Sequence, residues 1–160
     1  MGTELIDRRI RKTRKQLKDC LISLLKTKRI QDITVRELTE MADLNRGTFY
    51  LHYKDVFDLL EQTETELLGK LNSVIQKHRA EELLDRPFNI FHEVYTLVYE
   101  NASLVEILLG ENGDLNFLNR MKQIMRDKCL HDWMVVVRTV SKAEKAAYLP
   151  FTDSHSPPLE

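Results

Sequence analysis

The chain is poor in the residues that staple or break a fold. Its 160 residues include two cysteines, four prolines, five glycines and one tryptophan. Cys20 and Cys129 cannot build the disulfide framework of a small secreted domain, so a reducing compartment and two inert, buried thiols are expected. Scarce proline and glycine, beside abundant Leu, Lys, Glu and Arg, exclude low-complexity classes and lean toward helix. No apolar run approaches the ~18 residues of a membrane span, and the opening MGTELIDRRIRKTRK carries charges where a signal peptide needs an apolar stretch. A soluble, cytoplasmic protein with no membrane partner is expected. An excess of charge is missing too, the net being −1.

That balance conceals a split. Residues 1–54 carry 13 Lys and Arg against 7 Asp and Glu, whereas the remainder carries 11 against 18. Such asymmetry joins a polyanion-facing part to an acidic part with another task.

Apolar periodicity divides the chain into helices. Ile10, Leu17, Leu21, Leu24 and Leu25 form one stripe over Arg8–Lys28, opposite a face of Arg and Lys. TVRELTEMA restarts the pattern with Thr34 and Glu37 in capping-box register, which predicts a second helix from Val35 to Met41 or Ala42. Asn45 is a good N-cap for a third, Arg46 to His52, and Asp55 for a long fourth reaching about Lys77. Three helices, the last two short and joined by about three residues, have the form of a helix-turn-helix.

Beyond them, Pro87 opens a fifth helix, Ser103 and Glu106 form a second capping box, and Gly110 is a stop. ENGD reads as an interhelical turn, and a last helix runs from Leu115 through Trp133 toward Val140, where the pattern fades. The expected fold is all-α. Residues 1–54 form the helix-turn-helix domain, 55–148 a helical regulatory or dimerisation domain with the fourth helix as connector, and 149–160 a disordered tail.

The third helix breaks local rules, since glycine and β-branched threonine are poor helix formers. As a recognition helix it makes sense. Phe49 and Tyr53 pin one face to the core, while Arg46, Thr48, Tyr50 and the edge of His52 turn outward as hydrogen-bond donors. Gly47 removes a side chain where the helix backbone must come close to a partner. Arg46 can reach a phosphate or a guanine edge, Thr48 and Tyr50 can reach phosphate oxygens, and Thr34 to Arg36 open a helix whose positive end suits an anion.

ITVRELTEMADLNRGTFYLHYKDVFDLL resembles the DNA-binding domain of the TetR/AcrR family of transcriptional regulators. The likeness covers residues 8 to about 62 and includes Thr34, Arg36, Leu38, Ala42, Gly47, Thr48, Phe49, Tyr50, His52 and Tyr53. It implies that Thr34 and Arg36 touch backbone or bases, that Arg46, Gly47 and Thr48 sit deepest in the groove, and that Tyr50 and His52 contact phosphates. The chain departs from the family pattern at Asp43 for the turn glycine, Asn45 for the serine cap, and Val56 for a lysine whose phosphate contact Lys54 replaces. Asp tolerates the left-handed turn better than most residues. LLGENGDLNFLNRMKQIMRDKCL is similar to the C-terminal domains of a DhaS-like branch of the family. The resemblance implies a repressor bound as a homodimer to a palindromic operator in double-stranded DNA, with a small-molecule effector in much of the family. The dimer contact expected here is the helix holding Trp133, Met134, Val136, Val137 and Val140.

His92, Tyr95, Tyr99, Phe117 and Trp133 are candidates for lining an effector cavity, although aromatics at helical spacing equally build plain core. The five histidines and two cysteines show neither zinc-finger nor HExxH spacing, so no metal site is expected. GENG lacks the G-K-[ST] of a P-loop, and neither cofactor nor enzyme activity is expected. The competing reading is a helical protein-interaction module that kept the helix-turn-helix shape and works through its acidic half.

Overall fold

In the computed structural model, the backbone is described for residues 2–78, 87–110 and 113–148, and side chains for all of these except 2–6, 87, 133, 136 and 139–148. The described elements are helical throughout. α1 spans Gly2–Leu25, a 3-10 turn Ile30–Asp32, α2 Val35–Met41, α3 Arg46–Tyr50, α4 Val56–Lys77, α5 Pro87–Glu100, α6 Ala102–Leu109 and α7 Leu115–Tyr148. The all-α expectation holds, and the β-branched run MVVV lies within α7.

α1 starts earlier than its apolar stripe and ends earlier too. The amides of Thr27 and Lys28 both return to Leu24 O, at 3.1 and 2.9 Å, which closes the helix before Lys28. Leu17, Leu21 and Leu24 are buried as expected, but Ile10 stays 38% exposed. At the start of α2 Thr34 Oγ1 accepts from the Glu37 amide at 3.2 Å. The capping box is completed on one side only, because the Glu37 carboxylate pairs with Lys28 instead of reaching back. At α4 the cap is reciprocal across neighbouring residues: Asp55 Oδ1 accepts from the Asp58 amide, and Asp58 Oδ2 accepts from the Lys54 amide, both at 2.8 Å.

Two apolar clusters form the core, and α4 contributes to both. Leu17, Leu21, Leu38, Phe49 and Leu59 lie at the centre of the first, where α1, α2, α3 and the start of α4 meet. Leu67, Leu71, Ile75, Leu104, Leu108 and Phe117 form the second, where α4 packs with α5, α6 and α7. Arg120 and Lys128 tie α7 along α4, donating to Thr65 Oγ1 at 2.9 Å and to the His78 carbonyl at 2.7 Å.

Three further expectations need correction. α6 begins at Ala102 with Asn101 in the cap position, so Ser103 sits inside the first turn and forms no capping box with Glu106. The Asn101 side chain turns back to donate to Leu97 O at 2.8 Å, which seals the end of α5 instead. α7 continues past Val140 to Tyr148, where AEKAA supplies strong helix formers without an apolar stripe. Cys20 is half-buried, and desolvation raises its thiol pKa, but Cys129 is exposed. Gly110 does end α6, and Gly113 has no room for a Cβ against Leu108 O, so the turn between α6 and α7 demands glycine there. The expected tail at 149–160 lies outside the described residues.

Candidate nucleic-acid interface

The path from α2 to α3 is built by short local bonds. Thr39 Oγ1 is returned to the carbonyls of Val35 and Arg36 at 2.8 and 3.0 Å, which lets a polar residue be buried inside α2. Asp43 then adopts φ 49°, the left-handed conformation that the sequence assigned to it in place of glycine. The Leu44 amide bonds Thr39 O at 2.9 Å across this turn. Asn45 Oδ1 accepts from the Gly47 amide at 2.8 Å and starts α3.

α3 is held by its buried face. Phe49 is fully buried and Tyr53 nearly so, with ring centroids 5.7 Å apart. Arg14 fixes Tyr53 from α1, with Nε donating to the phenol oxygen at 3.2 Å and its guanidinium 5.7 Å from the ring centroid. Regular helix ends at Tyr50, two residues short of the expected His52, because the His52 and Tyr53 amides both return to Phe49 O, at 2.9 and 3.0 Å.

The opposite face of α3 is turned outward. Arg46, Gly47, Tyr50 and Leu51 are exposed, while Thr48 and His52 are half-buried at its edges. Tyr50 is 58% exposed and is steadied by an edge-to-face contact with Phe49, centroids 5.5 Å apart. Gly47 has no internal reason to be glycine. Its φ is not positive, and an added Cβ would meet only Asn45 Oδ1, at an ordinary 3.4 Å.

The flanking candidates are partly engaged. Thr34 is exposed but its hydroxyl caps α2. Arg36 Nε lies 2.7 Å from Glu40 Oε1 in an exposed pair, which screening by solvent makes weak and easily exchanged for another anion. Lys54 is exposed with its amide held by Asp58. Sequence reasoning missed two residues. Leu51 is 80% exposed although apolar, and its signal was its place on the outward side of a helix pinned by Phe49. Lys28 is drawn to the first turn of α2 by Glu37, a contact across nine residues that no local pattern announces.

The effector candidates are not gathered into one cavity among the described residues. Phe117 is buried in the second cluster. His92 borders an open groove between α4 and α5, and Tyr99 borders a different cleft against α1. Tyr95 and Tyr99 stack at 6.1 Å on a face of α5 that also exposes Phe88 and Phe91. The Trp133 side chain lies outside the described residues.

No protein-family model matches the chain. The HTH-type transcriptional regulator YxbF of Bacillus subtilis (strain 168) is 31% identical over 98 residues, 59% of this chain and 26% of that protein. The HTH-type transcriptional regulator AcrR of Shigella flexneri is 21% identical over 145 residues, 86% of this chain and 67% of that one. The chain thus spans about a quarter of the first relative and two thirds of the second. The likeness to TetR/AcrR regulators read from residues 8–62 holds: both relatives are helix-turn-helix transcriptional regulators. Among the described residues no helix is long and apolar enough to cross a membrane.

Proposed function

Taking the chain as similar to TetR/AcrR helix-turn-helix regulators, we propose that it binds a specific DNA sequence through α3 and represses transcription as a dimer on a palindromic operator. Residues 1–54 act as the DNA-reading part, and 55–148 carry regulation and dimerisation. The observation that supports this best is the outward face of α3. It combines a cation, a phenol and an unshielded backbone at Gly47 that nothing inside the molecule requires. In a major groove Arg46 reads a guanine edge, Gly47 and Thr48 lie closest to the bases, and Leu51 meets a thymine methyl. Asn45, Tyr50, His52 and Lys54 serve the phosphates, as do Thr34 and Arg36 at the positive end of α2.

The test is a gel shift on DNA flanking the chain's own gene, repeated across salt concentrations. About four phosphates neutralised per subunit give a slope of log K on log salt near −7 for a dimer, from about −0.9 for each phosphate. A slope near zero sinks the reading. Arg46→Ala is expected to cost about 1–3 kcal/mol on the operator and little on random DNA. Equal losses on both reduce Arg46 to a phosphate contact.

A second reading, a helical protein-interaction module, draws on the exposed aromatic face of α5. Phe88, Phe91, Tyr95 and Tyr99 are each at least 65% exposed and recur at spacings of three and four, a larger apolar display than an isolated surface residue. Absence of any operator footprint, with α3 folded, would favour it.

A further inference from the structure

Between α1, α4 and the first turn of α6 lies an open cleft of about 750 Å³. α1 lines it with Arg11, Arg14, Lys15 and Lys18, Lys26 follows directly after the helix, and α4 adds Lys70. Against these six cations stand Asp19, Glu66 and Glu100, leaving an excess of three positive charges. No residue of α2 or α3 takes part, so the cleft is separate from the DNA face.

The internal neutralisation of this cluster is thin. Arg11 meets Asp7 in an exposed pair at 3.8 Å, and Glu66 is shared between Arg14 and Lys18 at 3.7 and 3.5 Å, all long for ion pairs. Lys15, Lys26 and Lys70 make no ion pair among the described residues. A solvated surface lysine would account for any one of them, but not for Lys18, whose side chain is only 19% exposed and whose ammonium is held in the cleft with a fraction of one carboxylate.

The wall opposite α1 presents donors as well. Because Asn101 turns its side chain back to Leu97 O, it leaves the start of α6 without a side-chain cap. The Leu104 and Val105 amides both use Asn101 O, and the Ala102 and Ser103 amides have no acceptor among the described residues. Both residues line the cleft, where the positive end of the helix adds to the cation field. Tyr99, 72% exposed at the rim, offers an apolar surface to whatever the anion carries.

We propose that this cleft binds a small phosphate-bearing anion. A single carboxylate would neutralise a third of the excess charge, whereas a phosphate at about −2 neutralises most of it, a diphosphate comes closer still, and either offers several acceptor oxygens to Arg14, Lys18, Lys70 and the α6 amides together. Arg14 also holds Tyr53, the residue behind α3. An anion that draws Arg14 toward the cleft therefore loosens the support of α3, and this coupling alone rests on the proposed DNA binding.

The experiment titrates the full chain with pyrophosphate at constant ionic strength, followed by calorimetry and by amide NMR. Saturable binding is expected, with the Ala102 and Ser103 amides shifting. The double variant Lys18→Gln, Lys70→Gln should weaken binding at least tenfold with an unchanged circular dichroism spectrum. Glu66→Gln removes the competing carboxylate and should tighten binding several-fold. Equal affinity in all three proteins, or shifts confined to Thr34–Glu37 and Arg46–Tyr50, would overturn the site. Gel shifts with and without pyrophosphate read the coupling separately. A protein that never binds DNA but still binds pyrophosphate in the cleft defeats the regulator reading and leaves the site standing.

Discussion

Gly47 and Asp43 show how two residues at one turn answer to different demands. An L residue in the left-handed region costs roughly 1–2 kcal/mol, less for Asp, which bonds locally there. Asp43→Ala should therefore lower stability by about 1 kcal/mol, and Asp43→Gly should leave it unchanged or raise it, as denaturant midpoints will show. Gly47 is the reverse case. Its backbone is ordinary and its neighbourhood open, so Gly47→Ala should stabilise α3 by about 0.5–1 kcal/mol. On the proposed function the same methyl would stand between the α3 backbone and a base edge, so operator affinity should fall at least tenfold. Chemical denaturation paired with a gel shift tests both. A variant that is more stable and binds DNA as well as wild type would show that Gly47 is no site of close approach.

Between elements, the boundary of α4 and α7 holds a buried charge that no local pattern announces. Glu64 is 4% exposed, its Oε1 has no hydrogen-bond partner among the described residues, and Arg120 stands 3.9 Å from Oε2. Burial, with Asp114 adding repulsion and Arg120 opposing both, pushes its pKa up to about 7. A carboxyl whose pKa is raised by folding costs nothing below its unfolded value, near 4.5, and destabilises the fold progressively as pH rises through about 7. At about 1.4 kcal/mol for each tenfold change in proton affinity, the penalty at pH 8 is on the order of 3 kcal/mol. Glu64→Gln should thus stabilise the protein at pH 8 and make little difference at pH 5. Denaturation across that range measures it, and a pH-independent difference would contradict the assignment. Glu64 also marks what the sequence could and could not tell. Thr34, Asn45 and Asp55 were legible as caps because capping is a matter of residues two or three apart. The outward face of α3 was legible because Phe49 and Tyr53 fix its inner side. The Lys28–Glu37 pair, the half-burial of Lys18 and the isolation of Glu64 depend on which helices meet. The Ser103 box failed because α6 already begins at Ala102, so that Ser103 lies inside the first turn and not at its cap.

For the whole molecule, the proposed reading of DNA by a helix five residues long calls for a second copy to reach useful specificity, with half-sites about one DNA turn apart. The C-terminal part of α7 offers a face for that copy. Leu130, Met134 and Val137 are 55, 47 and 46% exposed at spacings of four and three, so they fall on one stripe. These three side chains alone cover less than the ~1,200 Å² of a stable interface, so on the proposed function weak self-association, on the order of tens of micromolar, is expected. Light scattering on a dilution series should show the mass rising from 18.8 kDa toward twice that value with concentration. Met134→Glu should hold the chain at the monomer mass and lower operator affinity without altering the contact of one subunit with a half-site. Phe91→Glu serves as the contrast, because it charges the aromatic face of α5 and leaves α7 alone. If Phe91→Glu abolishes association and Met134→Glu does not, the interface lies on α5. If neither does so and the chain still dimerises, both faces are excluded.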